Sequence, residues 1–136
     1  MATDSTDTLL KKTHKFLYSQ RNIVTLYGIS LNINIMVKHI ILWTLKPELS
    51  EAEKENIKKG IKEGLEGLIG TVPGLIEVKV NIDGRLESSN CDVMLDSTLE
   101  SEEALKAYAV HPAHVAVADT KVRPYTAQRT CLDYTI

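Results

Sequence analysis

The segment VKHIILWTLK, residues 37–46, decides how this chain folds. Successive side chains of a strand point to opposite faces of the sheet, so the segment divides into two sets. One set consists of Val37, His39, Ile41, Trp43 and Leu45. The other set contains Ile40, Leu42 and Thr44. Because both sets are mainly apolar, the segment is predicted to be a central strand that is covered on both faces.

A helix is predicted after this strand. Pro47 ends the strand, and Ser50 with Glu53 has the spacing of a capping box, in which each residue satisfies a free N–H group of the other. Apolar residues then recur at helical spacing, at Ile57, Ile61, Leu65 and Leu68. Gly70, Pro73 and Gly74 are predicted to end the helix.

The rest of the chain continues the alternation of strands and helices. Strands are predicted at residues 75–83, 91–99 and 126–136. A second helix begins after Ser101, breaks at Pro112, resumes at His114 and ends near Arg123. The predicted order from residue 36 is therefore βαββαβ.

This order is typical of an α+β, ferredoxin-like domain with one antiparallel sheet and both helices on one face. In that topology the first strand lies between the last strand and the third. The apolar face opposite the helices needs a cover, and a second copy of the sheet supplies one. We therefore expect a homodimer that forms through the sheet face, as in a dimeric α/β barrel.

Composition excludes several classes of protein. The 136 residues carry 16 basic and 18 acidic side chains, and the net charge of −2 argues against nucleic-acid or acidic-membrane partners. No apolar run is long enough for a transmembrane helix, and no signal peptide is apparent. Cys91 and Cys131 fall on predicted strands roughly 10 Å apart, beyond disulfide reach. We expect both to be buried and reduced in a cytoplasmic protein.

Charge also changes along the chain. Residues 1–35 carry four basic and two acidic side chains, whereas residues 36–136 carry 12 basic and 16 acidic ones. Residues 1–35 are therefore predicted to be an N-terminal extension, disordered over residues 1–8 and forming an extra strand or an extended arm over residues 23–35. Two interpretations of Met36 stay open: it is the natural start of the protein, or the extension packs on the domain or on a partner subunit.

The candidate chemistry lies around the break in the second helix, in the motif YAVHPAH. Tyr108, His111 and His114 belong to this motif, and the fold is expected to bring His39 and Asp133 of the first and last strands near it. A carboxylate that orients an imidazole beside a phenol suits general acid–base catalysis. The alternative is structural: His39, Tyr108 and Asp133 serve packing, and His111 caps a helix.

No metal and no cofactor are predicted. His111 and His114 have the spacing of two metal ligands, but no third ligand has a defined spacing. The chain also lacks a phosphate-binding loop, a dinucleotide-binding glycine motif and a nucleophile elbow.

Three blocks of sequence, MVKHIILWTLKP, YAVHPAHVAVAD and CLDYTI, resemble the stress-responsive A/B barrel (Dabb) family over residues 36–136. The resemblance implies a ferredoxin-like protomer and a dimeric barrel. One plant branch of the family closes linear polyketides by aldol condensation without a cofactor. Tyr108 and His114 match the catalytic pair of that branch, with the His as general base, and His39 and Asp133 match its supporting residues.

Three functions follow from these observations. The first is a small homodimeric stress-response protein that binds a small apolar or polyketide-like molecule between sheet and helices, with His39, Trp43, Tyr108, His111 and His114 as its ligand-binding residues. The second is a cofactor-independent cyclase or lyase, with His114 as the base and Tyr108 as the enolate stabiliser. The third is monooxygenase-like chemistry on a dimeric barrel. A cavity filled by Trp43, Tyr108 and Met94 would instead favour a purely structural role.

Overall fold

The computed structural model describes residues 23–26, 29–32 and 35–136. Contacts between Cα atoms divide the chain into two units, Met1–Ile35 and Met36–Ile136. In the first unit, strands β1 (Ile23–Leu26) and β2 (Ile29–Asn32) pair in antiparallel fashion. The predicted disorder of residues 1–8 lies outside the described residues. The role of residues 1–35 as an extension stays a prediction.

The second unit has the predicted order of elements. Its strands are β3 (Val37–Leu45), β4 (Leu75–Asn81), β5 (Val93–Leu99) and β6 (Thr126–Thr135). Its α-helices are α1 (Glu51–Glu66), α2 (Glu102–Val110) and α3 (Pro112–Val117). A π-helical turn (Ala118–Val122) and a 3-10 turn (Arg123–Tyr125) connect α3 to β6. Within residues 35–136, no helix is long and apolar enough to cross a membrane.

The four strands of this unit form one antiparallel sheet in the order β4-β5-β3-β6. Strand β3 therefore lies between the last strand and the third, and the predicted ferredoxin-like α+β fold is confirmed. Residues of β3 alternate between buried and half-buried along its whole length. The buried set, Ile41 and Trp43 among them, packs in one core with Ile61 and Leu65 of α1.

Local sequence signals explain helix α1. The predicted capping box is present: the Glu53 N–H donates to Ser50 Oγ at 3.2 Å, and the Ser50 N–H donates to Glu53 Oε2 at 2.7 Å. The helix ends at Glu66, one turn before the predicted stop at Gly70. In the last turn of the helix, a Cβ atom on Gly64 would lie 2.8 Å from Val117 Cγ1, so the glycine permits the close approach of α1 to α3.

The predicted burial of both cysteines is wrong. Cys91 is half-buried and lies just before β5, and Cys131 is exposed on β6. No helix in the described part of the chain covers β6, so its side chains are exposed on both faces from residue 127 to residue 135. Both cysteines are free, as expected.

Two further details differ from expectation. The register between β4 and β5 shifts between Leu75 and Glu77, and this irregularity leaves Ile76 47% exposed although the alternation predicted it on the buried face. The broken helix resumes at Pro112 rather than at His114. Proline has no N–H group to lose in the first turn of a helix, so it begins the new helix instead of preceding it.

Gly74 is a position where replacement should be costly. Its φ angle is +80°, and a Cβ atom there would lie 2.7 Å from Ala104 Cβ. We expect Gly74→Ala to lower the free energy of unfolding by about 2–4 kcal/mol, because it adds overpacking to left-handed backbone strain. Gly70→Ala is the matched control, since its φ angle is +82° but nothing lies within 4 Å. Urea unfolding of both variants measures the difference, and equal losses would contradict the packing argument.

Candidate functional site

A cavity of about 350 Å³ lies between the sheet and the helices of the second unit. Its lining is mainly apolar and aromatic, with a few polar groups: His39, Ile41, Trp43, Leu65, Leu95, Leu105, Tyr108, Ala109, His114, Ala118, Val122, Arg123 and Arg129. A neighbouring cavity of about 450 Å³ shares four of these residues and also includes Asp133. The space is not filled by Trp43, Tyr108 and Met94, because Met94 lies opposite Leu42 on the other face of the sheet and does not line it.

Strand pairing brings His39 and Asp133 together. The two residues lie opposite each other in the β3–β6 register, and His39 Nδ1 is 2.5 Å from Asp133 Oδ1. A carboxylate only accepts hydrogen bonds, so the His39 Nδ1–H is the donor. On the other side of β3, the buried Ser97 hydroxyl donates to the His39 carbonyl at 2.8 Å. Asp133 therefore orients the imidazole of His39, and Ser97 holds the backbone of the same residue.

The helix break brings Tyr108 and His114 together. In a continuous α-helix, residues six apart lie about 9 Å apart along the axis and on different faces. Here His111 is extended (φ −63°, ψ 130°) between α2 and α3, and the two ring centroids are 4.1 Å apart at an interplanar angle of 34°. The Tyr108 ring also meets the His39 ring edge-on, with centroids 6.0 Å apart.

His114 has the electrostatics of a neutral base. Burial lowers the pKa of His114 below its ordinary value of 6.5, and the positive charges of Arg123 and Arg129 lower it further. The His114 Nδ1 lies 3.3 Å from the Ala109 carbonyl oxygen, which only accepts, so the proton is on Nδ1. The lone pair of Nε2 is then available to accept a proton.

The hydroxyl of Tyr108 is a buried donor without an acceptor. The side chain is 1% exposed, and its oxygen has no hydrogen-bond partner among the described residues. Burial raises the pKa of Tyr108 to about 12, so the phenol keeps its proton at neutral pH. A ligand oxygen that enters the cavity can accept this hydrogen bond, which the buried hydroxyl otherwise lacks.

The structure thus brings Tyr108, His114, His39 and Asp133 into one cluster, while Trp43 lines the cavity beside them. It does not bring His111 into this cluster. His111 is absent from the lining of both cavities, and its Nδ1 accepts the Ala113 N–H at 3.1 Å. This contact caps helix α3, which is the structural role that the sequence left open for His111.

Two arginines, Arg129 and Arg123, line the cavity but were not among the residues predicted for the site. Arg129 lies opposite Trp43 and lines both cavities. A signal for it was present, since Arg129 is four residues before Asp133 and therefore on the same face of the strand. Arg123 follows the π-helical turn and pairs with Asp119. No local sequence pattern predicted that turn.

His39, Cys131 and Asp133 are the described side chains whose arrangement can hold a metal ion, with ligand atoms within 4.8 Å of one another. Two protons now occupy this cluster: the Cys131 thiol donates to Asp133 Oδ1 at 3.5 Å, and His39 donates to the same oxygen. Burial, followed by the contact with Asp133, raises the pKa of the Cys131 thiol, which opposes the thiolate that a metal needs. The expectation of no metal stays a prediction.

The sequence profile of the family described as Stress responsive A/B Barrel Domain matches residues 37–136. The chain is 29% identical over 101 residues to olivetolic acid cyclase of Cannabis sativa. The aligned region covers 73% of this chain and 95% of the cyclase.

Solved structures share the fold. A dimeric ferredoxin-like protein of unknown function from Bacteroides fragilis has a TM-score of 0.70 and 28% identity, and the match covers 74% of this chain and 96% of that one. A dimeric ferredoxin-like protein of unknown function from Thermobifida fusca has a TM-score of 0.63 and 22% identity, over 76% and 92% of the two chains. Hydroxynitrile lyase from Passiflora edulis has a TM-score of 0.59 and 19% identity, over 76% and 95%.

Proposed function

The chain belongs to the stress-responsive A/B barrel domain family, and from that premise we propose that it binds a small, largely apolar molecule in the cavity between its sheet and its helices. The family membership predicted from the three sequence blocks is confirmed. Solved structures with the same fold include dimeric ferredoxin-like proteins of unknown function, so the fold and family alone do not decide the role. A part in a stress response is suggested by the family's name and stays a prediction.

The unpartnered hydroxyl of Tyr108 carries the proposal. The Tyr108 side chain lines a mainly apolar cavity of about 350 Å³, within the range of small-molecule sites, and its buried hydroxyl has no hydrogen-bond partner among the described residues. A buried donor without an acceptor costs about 1–3 kcal/mol, and a ligand oxygen removes that cost. Apolar walls from Ile41, Leu95 and Leu105 favour a hydrocarbon body around that oxygen.

A cofactor-independent cyclase or lyase is the second candidate, and the Tyr108–His114 pair favours it. His114 Nε2 would take a proton from the carbon next to a carbonyl group, and the Tyr108 O–H would donate to the enolate oxygen that forms. The His39 ring, which Asp133 orients, would support the Tyr108 ring through the edge-on contact between the two rings. The similarity to a relative that is named as a cyclase supports this candidate. No further observation favours the monooxygenase alternative, which stays a prediction.

The protein is proposed to act as a homodimer through the outer face of its sheet, the face opposite the helices. On β6 this face carries Leu132 and Tyr134, which are 60% and 44% exposed. Exposed apolar side chains in a row favour association. The similar structures described as dimeric support self-association of this chain.

A cytoplasmic location is the last part of the proposal. Cys91 and Cys131 are both free, and unpaired cysteines are typical of proteins in reducing compartments. Cell fractionation with an antibody against the chain would locate it.

Ligand binding is tested with heptan-2-one, a neutral ketone with an apolar chain, by titration of the fluorescence of Trp43, which is the chain's one tryptophan and lines the cavity. Ala109→Phe places a large side chain at an exposed lining position and should weaken binding by about tenfold or more, equivalent to about 1.4 kcal/mol. Ala107→Phe, exposed on the same helix but not a lining residue, is the matched control. Absence of saturable binding to the unaltered protein would contradict the proposal.

Catalysis is tested with β-keto substrates. If turnover is found, His114→Gln should reduce kcat/KM by about 10²–10⁴-fold, because the amide still donates to the Ala109 carbonyl but is not a base. The neutral form of His114 is required, so the rate should be full at neutral pH and fall as pH drops through its pKa below 6.5. Circular dichroism verifies that the variant is folded. Unchanged turnover would remove His114 as the base.

Dimer formation is tested by light scattering. Leu132→Glu should raise the dimer dissociation constant by about tenfold or more, because a buried unpaired carboxylate is costly. Leu86→Glu is the control, since Leu86 is 70% exposed in the loop before β5. A monomeric unaltered protein, or equal effects of the two substitutions, would refute the proposed interface.

A further inference from the structure

We propose that the molecule bound in this cavity is a carboxylate, and that Arg129 is the residue that binds its negative charge. This inference rests on the proposed binding function and adds the chemical class of the ligand. It is carried by the place of Arg129 between two cavities, by the charges around it, and by the unpartnered hydroxyl at the other end of the site.

Arg129 lies where the two cavities meet. It belongs to the inner face of β6, opposite Trp43, and it lines both the cavity of about 350 Å³ and its neighbour of about 450 Å³. The side chain is exposed, whereas Tyr108 is buried. A molecule that reaches Tyr108 from solvent beside β6 therefore passes the guanidinium group.

Two carboxylates, Asp133 and Glu102, line the neighbouring cavity together with Arg129. No acidic side chain is among the described residues that line the first cavity. The other arginine in that lining, Arg123, is paired with Asp119. Asp133 accepts from His39 and from the Cys131 thiol, and the Arg129 side chain contacts that thiol as well. In the described part of the chain, no carboxylate forms an ion pair with Arg129 within 4.0 Å.

A single unpaired guanidinium group fits a carboxylate better than a more highly charged anion. Its planar N–H groups match the two oxygens of a carboxylate in a bidentate contact, and one positive charge balances one negative charge. At the buried end, the Tyr108 O–H suits a carbonyl or hydroxyl oxygen. The ligand class is thus a carboxylic acid with an apolar body and an oxygen function remote from the acid.

The experiment compares heptanoate with heptan-2-one, which have the same chain length, by Trp43 fluorescence at pH 8, where His114 is neutral. Arg129→Gln should weaken heptanoate binding by about tenfold or more, the effect of a charge-assisted contact, and change ketone binding by less than about twofold. Arg129→Lys should restore part of the affinity because it keeps the charge. Added NaCl should weaken the binding of heptanoate and leave that of the ketone unchanged.

Arg123→Gln separates a specific contact from a general field, because this arginine also lines the cavity but already has a carboxylate partner. We expect its loss of heptanoate affinity to be smaller than that of Arg129→Gln. Equal losses, or heptanoate binding that Arg129→Gln leaves unchanged while the ketone still binds, would overturn the assignment of Arg129 alone. If neither compound binds the unaltered protein, the binding function itself fails, and this inference fails with it.

Discussion

The antiparallel register between β3 and β6, with His39 opposite Asp133 and Trp43 opposite Arg129, is the constraint on which the rest of the site depends. A shift of this register by one residue would turn the β6 side chains to the other face of the sheet. The imidazole would lose its carboxylate, and the cavity would lose its arginine. Because β3 is paired on both sides and buried on the helix-facing side, such a shift is strongly disfavoured.

The helix break adds what the sheet alone does not supply. Pro112 cannot donate to the preceding turn, so the chain bends at His111 and begins a new helix, in which the Ala113 N–H donates to the capping His111 Nδ1. The bend stacks the His114 ring on the Tyr108 ring above the inner face of the sheet. The same residue that was a candidate ligand in the sequence, His111, is therefore occupied in holding the bend.

Much of the fold was predictable because its signals are local. The capping box at Ser50 and the apolar pattern of β3 each depend on a few neighbouring residues, and the cap and the central place of β3 in the sheet are confirmed. One face of β3 is buried and the other is half-buried, so its cover on the outer face stays a prediction. The exposure of Cys131 was not predictable in the same way. Alternation shows which residues share a face of the sheet, but it does not show whether a helix extends far enough to cover that face. Ile76 was misplaced for a related reason, since the irregularity in pairing with β5 is a property of two strands.

The sequence by itself determined the order of the elements, the family and the set of polar groups around Tyr108, His114, His39 and Asp133. Hydrophobic periodicity, helix caps and proline act over a few residues, so their effects can be predicted from the sequence alone. Only the tertiary structure decided that a cavity remains open beside Tyr108 and that its hydroxyl has no acceptor among the described residues. It also decided that Arg129 lines this cavity and forms no ion pair with a described carboxylate. Empty volume and charge balance arise from elements distant in the chain, and no local pattern of residues encodes them.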